Sequence, residues 1–551
     1  MATVTVNGKE VEIGASERLN CIQAASKVGV EIPAYCWHPA LSVVASCRMC
    51  LVEVGDKKPD GTVAMQPKLV PGCQTPAKDG TVIISDSQKV KDARKATLEY
   101  LLLNHPLDCP TCDQAGECYL QDYSFNYGRG YSRLNEPKNI KPDKTYIGDQ
   151  ITLFTDRCIM CTRCVRFTRE VSGSAELQVV SRGSHEEIDI FPGHPVNNPL
   201  AGNVVDLCPV GALCSKDFLY QQRVWWLKSQ SSVCPGCSTG CSITVDQNEE
   251  RVYRLHPRTN EKAQGHFMCD EGRFGWKYTH SDQRLTSPEV RANGHVTSSD
   301  FDSVLGSVRT ALKKAAQGKG KVAAVLSPWM TVEEAYLLAG FLKSLSGEVT
   351  LAMGPVRIEG KDDQFPKDVK GNVVEPVKFT IRAEKAPNRA GVEAVLSHFA
   401  GDVMPFEELL RLSSTGKFSA VYLVGGDPEG WISEIQAEAF SKIETVIVQD
   451  ILSSPVLKHA THVLPSGTFV EREGVFVNHK GLAQMIRRSV RGPDGTRPDG
   501  RLLWELAERS GLIQTDTLRS EIASAIPALA VIGNAELKVN GVLLDEAVVA
   551  V

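Results

Sequence analysis

The stretch HPLDCPTCDQAGEC, His105 to Cys118, places one imidazole and three thiols within fourteen residues. The H-x3-C-x2-C-x5-C spacing of His105, Cys109, Cys112 and Cys118 suits zinc and iron equally, because both accept three thiolates and an imidazole. Pro106 and Pro110 stiffen the loop. Three other ligand sets accompany it. Cys36, Cys47, Cys50 and Cys73 follow the plant-type [2Fe-2S] layout of one early thiol, a close pair and a distant fourth, although the gaps differ. A loop wrapping a cluster favours small residues such as Ala45 and Ser46, and zinc is the alternative ligand of this set. Cys158, Cys161 and Cys164 of CIMCTRC, closed by Cys208 of CPVGAL, hold three corners on one short loop and a fourth from elsewhere, as a [4Fe-4S] cubane requires. Cys214 competes for that fourth corner, but the Cys-Pro context favours Cys208. Cys234, Cys237 and Cys241 of CPGCSTGC, closed by Cys269, fit a further cubane. With two cubane-like sets beside it, His105 reads as an iron ligand whose neutral imidazole reduces the negative charge of its site and raises its potential.

All seventeen cysteines lie between Cys21 and Cys269, and fifteen of them with His105 fill the four sets. Disulfides have no reason to stop halfway along a chain, whereas a cofactor-loaded front half produces this asymmetry. Cys21 and Cys214 are left over as buried small hydrophobes. His38 beside Cys36 reads as a supporting residue and not as a ligand. Arg163 and Arg166 either offset cluster charge, stabilising the reduced state, or lie on a solvated or salt-bridged helix face.

The elements that must position these ligands follow from local pattern. TVTVNGKEVEI alternates about Asn-Gly, a β-hairpin with a two-residue turn, and Ser16 is placed to cap a helix with Leu19, Ile22 and Ala25 on its inner face. With CLVEV as a strand, this is a β-grasp module. The region from Asp86 to Tyr220 reads as helical, interrupted by cysteine loops, and RVWWLKSQSS as an aromatic hinge. After RLTSPEVRANG, strands such as VAAVL, AVYLV and TVIVQDI alternate with helices, one opened by a Thr331–Glu334 capping box, predicting an open α/β sheet with helices on both faces. GGDPEG lacks the lysine of a P-loop and reads as a plain strand-to-helix turn.

At 551 residues, 42% hydrophobic, 23% charged and a formal charge of −5, the chain is a globular, multi-domain protein and not a nucleic-acid binder. Its start lacks a secretory pattern, and no apolar run approaches the roughly 20 residues that cross a bilayer. A soluble, cytosolic protein with reduced thiols is expected, with membrane contact only through a partner complex. The expected domains are a β-grasp [2Fe-2S] ferredoxin-like module at 1–85, a His-Cys [4Fe-4S] domain at 86–140, a ferredoxin-like [4Fe-4S] domain at 141–222, a molybdopterin-oxidoreductase-type [4Fe-4S] domain at 223–280 and an α/β domain at 281–551.

The four motifs in this order resemble the large iron-sulfur subunit of bacterial NADH:quinone oxidoreductase, respiratory complex I; the resemblance is close from about Val4 to Tyr278. It implies an electron-transfer subunit of a proton-translocating NADH dehydrogenase, with one [2Fe-2S] and three [4Fe-4S] clusters and no substrate or acid-base site of its own. It implies a peripheral position on the cytoplasmic side of the inner membrane, between an FMN-bearing, NADH-oxidising subunit and a ferredoxin-like subunit nearer quinone. On that analogy the Cys36 set receives electrons, the Cys158 set relays them and the His105 set hands them on, with the Cys234 set off the main route. The second half is similar to the molybdopterin oxidoreductase fold. Family members that bind a pterin usually carry a lysine just after the fourth cluster cysteine, where this chain has Asp270, Glu271 and Gly272, and no later cysteine is available for molybdenum. A scaffold without pterin is therefore expected. The alternatives are a molybdenum or tungsten formate dehydrogenase, an electron-transfer subunit of an NAD-linked hydrogenase, and a zinc-stabilised scaffold without redox function.

Overall fold

The structure, a computed structural model, describes residues 2–292, 295–318, 321–533, 537 and 539–545, so the last two residues of RLTSPEVRANG lie outside the described residues. The chain divides into two compact units, Met1–Leu227 with Phe365–Pro376, and Lys228–Gln364 with Val377–Val551. Both mix helix and strand.

The first unit opens with the expected hairpin. Ala2–Val6 pairs antiparallel with Lys9–Ile13, and Asn7 and Gly8 turn the chain with φ of 46° and 81°. Val4, Val6, Val11 and Ile13 alternate inward. Thr81–Ile84 pairs parallel with the first strand and antiparallel with Leu51–Lys57, completing a mixed sheet over which the helix Cys21–Lys27 packs. Ser16 does not cap this helix. Asn20 does, accepting from the Gln23 N–H while the Gln23 side chain accepts from the Asn20 N–H. A capping box needs Gln or Glu three residues on, and Ser16 finds only Leu19 there.

The segment after it is less helical than expected. The helices Gln88–Leu102, Tyr119–Tyr127, Arg163–Glu170 and Asn203–Leu207 share it with two small sheets, Ile151–Leu153 with Leu213–Ser215 and Leu177–Val180 with Glu187–Ile190. Strands of three or four residues carry too little periodicity to be read locally, and Leu153 meets its partner Leu213 only across two intervening helices and the other small sheet. Val224–Trp226 is a single 3-10 turn, and the division between the units follows it at Leu227.

The second unit begins with the meander Lys228–Val233, Ser242–Asn248 and Arg251–Pro257. Beyond it stands the expected α/β sheet. Among the described residues it runs His295–Ser298, Glu289–Ala292, His462–Pro465, Thr445–Asp450, Phe418–Val424, Lys321–Leu326 and Thr350–Met353, the last five parallel. Val322, Ala324 and Leu326 face one buried cluster, and Ala323 and Val325 the other, so both faces are covered by helices, as parallel strands require. Thr331 and Glu334 form the capping box of Val332–Leu345. Arg284, from RLTSPEVRANG, grips both carboxylate oxygens of Glu471, the two side chains being 1% and 3% exposed. Its guanidinium also donates to the Ser466 carbonyl. Replacing Arg284 by methionine strands a buried carboxylate, and the unfolding free energy from denaturant titration is expected to fall by about 3–5 kcal/mol. No helix among the described residues is long and apolar enough to cross a membrane.

Candidate metal centres

Among the described residues no group of three or more His, Cys, Asp or Glu converges on the geometry of a single ion. The ligand sets are therefore defined by which sulfurs face one another.

In the first set, Cys36 shares hydrogen bonds with Cys47 and Cys73, and Cys50 with Cys73. These contacts hold the Cys36 and Cys50 thiols below their ordinary range and, with burial, drive those of Cys47 and Cys73 well above it. Four thiols joined by hydrogen bonds in one pocket would form a thiolate quartet if a metal took the place of their protons. The loop is wrapped by left-handed residues on both sides of Cys47, Ala45 at φ 52° and Arg48 at φ 59°. Each such residue costs on the order of 1–3 kcal/mol, which the surrounding contacts must offset.

The Cys158 set repeats this construction at the start of the helix Arg163–Glu170. Met160 and Thr162, at φ 52° and 59°, turn the backbone about Cys161, and the Met160 N–H donates to the Cys158 sulfur at 3.4 Å. Cys208 arrives at the C-terminal end of Asn203–Leu207, and the four sulfurs line an apolar cavity with Leu153 and Ile188. Burial, and then the sulfurs of Cys161, Cys158 and Cys208, hold the Cys164 thiol far above its ordinary range, and burial with Cys208 pushes Cys161 up to about 11. Buried sulfurs that repel one another's charge call for a cation to stabilise their ionised form.

Cys109, Cys112 and Cys118 also act on one another, after burial, to raise the Cys112 and Cys118 thiols, and Cys109 is exposed. Burial, then Lys138 and Arg157, push His105 down to about 4, so its imidazole is neutral at physiological pH. Its Nδ1 is buried without a hydrogen-bond partner. A buried nitrogen left with a free lone pair is costly unless it has an acceptor role to fill, and metal ligation is such a role. The segment 208–214 walls this site off from the Cys158 set. The Pro209 carbonyl accepts from the Tyr119 N–H at 2.9 Å and faces the Cys118 sulfur at 3.8 Å. Gly211 lies under Cys112, and the buried Cys214 stands near both Cys112 and Cys208.

The fourth set lies in the second unit. Burial and the neighbouring sulfur of Cys237 push Cys234 up to about 12, and Cys241 responds to Cys234, Cys237 and Cys269. The Cys269 sulfur caps Asp270–Phe274, accepting from the Gly272 N–H at 3.4 Å. At Gly272 an added Cβ would stand 2.7 Å from the Cys234 sulfur.

Five family profiles match the chain in the order of these sites: a 2Fe-2S iron-sulfur cluster binding domain over residues 1–88, the NADH-ubiquinone oxidoreductase-G iron-sulfur binding region over 94–133, the ferredoxin-like domain of NADH-quinone oxidoreductase subunit 3 over 148–214, the molybdopterin oxidoreductase Fe4S4 domain over 227–281 and molybdopterin oxidoreductase over 393–509. The G subunit of NADH-quinone oxidoreductase from Rickettsia bellii is 37% identical over 348 residues, 63% of this chain and 48% of its own length. This chain resembles that iron-sulfur subunit. The NADH-ubiquinone oxidoreductase 75 kDa subunit of Reclinomonas americana is 36% identical over 68% of this chain and 52% of its own, and the mitochondrial 78 kDa subunit of Neurospora crassa 40% over 55% and 39%. The chain thus spans about half the length of the NADH-quinone oxidoreductase relatives it matches. A solved chain of an NAD+-reducing [NiFe]-hydrogenase, 25% identical, covers 40% of this chain and 91% of its own at a TM-score of 0.35, too low to bear on fold or function.

Several residues around the sites bear on their sequence reading, some in agreement with it and some not. Arg163 and Arg166 are neither solvated nor salt-bridged; both are 6% exposed and donate to backbone carbonyls, because the β-grasp loop covers their helix. No lysine directly follows Cys269, yet Lys385 reaches the surroundings of Cys269 from a distant segment. It is 4% exposed, pairs with Glu271 at 2.5 Å and lies near Cys237 and Cys269. Nothing in the local sequence announces it, since it lies 114 residues from Glu271. His38 accepts from the Ala40 N–H through Nδ1, a turn contact. In GGDPEG, the amides of Gly425 and Gly426 donate to the Gln449 carbonyl and to Asp450, and Asp427 pairs with Arg357, as in a structural turn.

Proposed function

We propose that this chain is the electron-transfer iron-sulfur subunit of an NADH:quinone oxidoreductase, peripheral on the cytoplasmic face of the membrane, working between an FMN-bearing NADH-oxidising partner and a ferredoxin-like partner on the way to quinone. The observation that carries this reading is the mutual facing of sulfurs in the quartets of Cys36, Cys158 and Cys234, together with the neutral His105, whose buried Nδ1 has no hydrogen-bond partner, beside Cys109, Cys112 and Cys118. In this reading Cys36, Cys47, Cys50 and Cys73 hold a [2Fe-2S] cluster. His105, Cys109, Cys112 and Cys118 hold a [4Fe-4S] cluster, as do Cys158, Cys161, Cys164 and Cys208, and Cys234, Cys237, Cys241 and Cys269. Such clusters supply one-electron redox chemistry with little rearrangement. The protein buries most of the ligand cysteines, fixes several of them on strained turns and places donors such as the Met160 and Gly272 amides against sulfur.

The second unit is read as a scaffold without pterin. Beside Cys234 its cavity, lined by Trp276, Trp329, Arg357 and Phe469, is about 60 Å3, well below the ~300 Å3 at which ligand pockets begin. Lys385 places an ammonium near that cluster, but its charge is paired with the carboxylate of Glu271. Anaerobic purification with iron and acid-labile sulfide analysis and EPR of the dithionite-reduced protein tests the proposal. One [2Fe-2S] signal together with cubane signals is expected. A colourless protein with zinc in place of iron overturns the reading, and molybdenum or tungsten with formate-dependent dye reduction replaces it by a formate dehydrogenase.

A further inference from the structure

Arg163 and Arg166, three residues apart on the helix Arg163–Glu170, are both 6% exposed, and neither has a carboxylate partner among the described residues. Burying an unpaired guanidinium costs several kcal/mol unless its N–H groups are satisfied and negative charge lies close by. Hydrogen bonds meet the first requirement. One Nη of Arg166 donates to the carbonyl of Cys36 at 2.5 Å and to that of Cys161 at 3.3 Å, while the other donates to Ser42 at 2.5 Å. Arg163 donates to Trp37 at 2.6 Å and, at longer range, to Ala34 and to Leu207, the neighbour of Cys208. Glu170, at the end of the same helix, binds the Ser42 N–H and hydroxyl. The helix that begins the Cys158 site is thereby fastened to the loop of the Cys36 site. Of the two arginines, Arg166 alone touches a ligand residue of both.

The second requirement has no carboxylate to meet it, but a thiolate-ligated cluster is anionic and becomes more so on reduction. We propose that Arg166 is a positioning and charge-tuning residue shared by two redox sites, its one buried cation raising the potentials of the groups held by the Cys36 and the Cys158 quartets together. The proposal rests on the iron-sulfur reading above. Sharing one cation keeps the two potentials matched, because any change in its environment moves both in the same direction. Arg163 lines the Cys158 cavity and acts on Cys161, but its guanidinium bonds no ligand residue of the Cys36 set.

The test is a potentiometric EPR titration of the anaerobically reconstituted full-length protein. In Arg166→Gln, both the [2Fe-2S] signal and the Cys158-site cubane signal are expected to shift to lower potential, each by at least the tenfold change in oxidised-to-reduced ratio that corresponds to about 59 mV for a one-electron couple. The cubane of the Cys234 set is expected to stay where it is. Arg166→Lys keeps the charge but loses the planar fork, and it should retain most of both potentials. Unchanged potentials in Arg166→Gln overturn the proposal, as does a shift confined to one site. If Arg166→Gln fails to hold its clusters, Arg166→Lys decides: potentials near wild type support charge tuning, and potentials lowered at both sites by a tenfold ratio or more refute it. A wild-type protein without iron signals refutes the underlying iron-sulfur reading, an outcome separate from any of these.

Discussion

Cys158→Ala is expected to abolish NADH-driven quinone reduction in the assembled complex while NADH oxidation by ferricyanide, at the flavin partner, continues at close to its normal rate. The reason is position. The Cys158 quartet adjoins the Cys36 quartet through Arg166, which bonds a ligand carbonyl on each side. It adjoins the His105 set through the segment 208–214, where Cys208 belongs to one site and Gly211 lies under Cys112 of the other. A site flanked in this way is placed to relay between the other two. The substitution removes one of four thiols and leaves at that corner only the neutral thioether of Met160, 3.7 Å from the Cys158 sulfur, which cannot replace a thiolate, so EPR should show its cubane signal missing while the [2Fe-2S] signal persists. Sustained quinone reduction by the variant would mean that the proposed order of sites is wrong.

Gly211→Ala should be nearly as severe, although it changes no ligand. A Cβ at this position would collide with the Cys112 sulfur and stand 3.1 Å from the Gln114 side chain. Cys112 has one rotatable bond, and as a ligand it cannot swing away without leaving its metal. Either the sulfur moves and the His105 site loses its cluster, or the wall shifts at an overpacking cost of about 1–3 kcal/mol. Loss of the EPR signal of this site and of quinone reduction, with a lower Tm, is the expected outcome. Gly272→Ala makes the same intrusion at the Cys234 set, where the sulfur lies 2.7 Å from the added carbon. It should remove that cubane yet leave quinone reduction largely intact, since the resemblance places this set off the main route. A Gly211→Ala protein with normal iron content and normal spectra would refute the packing argument.

The two expectations differ in what they needed from the fold. That Cys158, Cys161 and Cys164 belong together is a matter of spacing along a few residues, and a short loop can present its ligands in only a few ways. The same locality made the Asn7–Gly8 hairpin, the Thr331–Glu334 capping box and the parallel core strands readable, because turns, caps and period-two burial depend on neighbours in the chain. Even here the local reading had a limit: it placed the cap at Ser16, whereas Asn20 caps the helix in a box closed by the Gln23 side chain.

Residues acting at a distance were not readable. Lys385 at the Cys234 set, Gly211 beneath Cys112 and the carbonyls that receive Arg163 and Arg166 come from segments that meet only after folding. Composition describes an arginine as a surface charge until a loop covers it. The amino-acid sequence therefore determined the candidate metal ligands and their proposed grouping, since ligand chemistry and short spacings are properties of the chain itself. The tertiary structure decided which charges and walls those groups share, because long-range contacts are selected by packing and desolvation of the whole domain, and no local pattern encodes them.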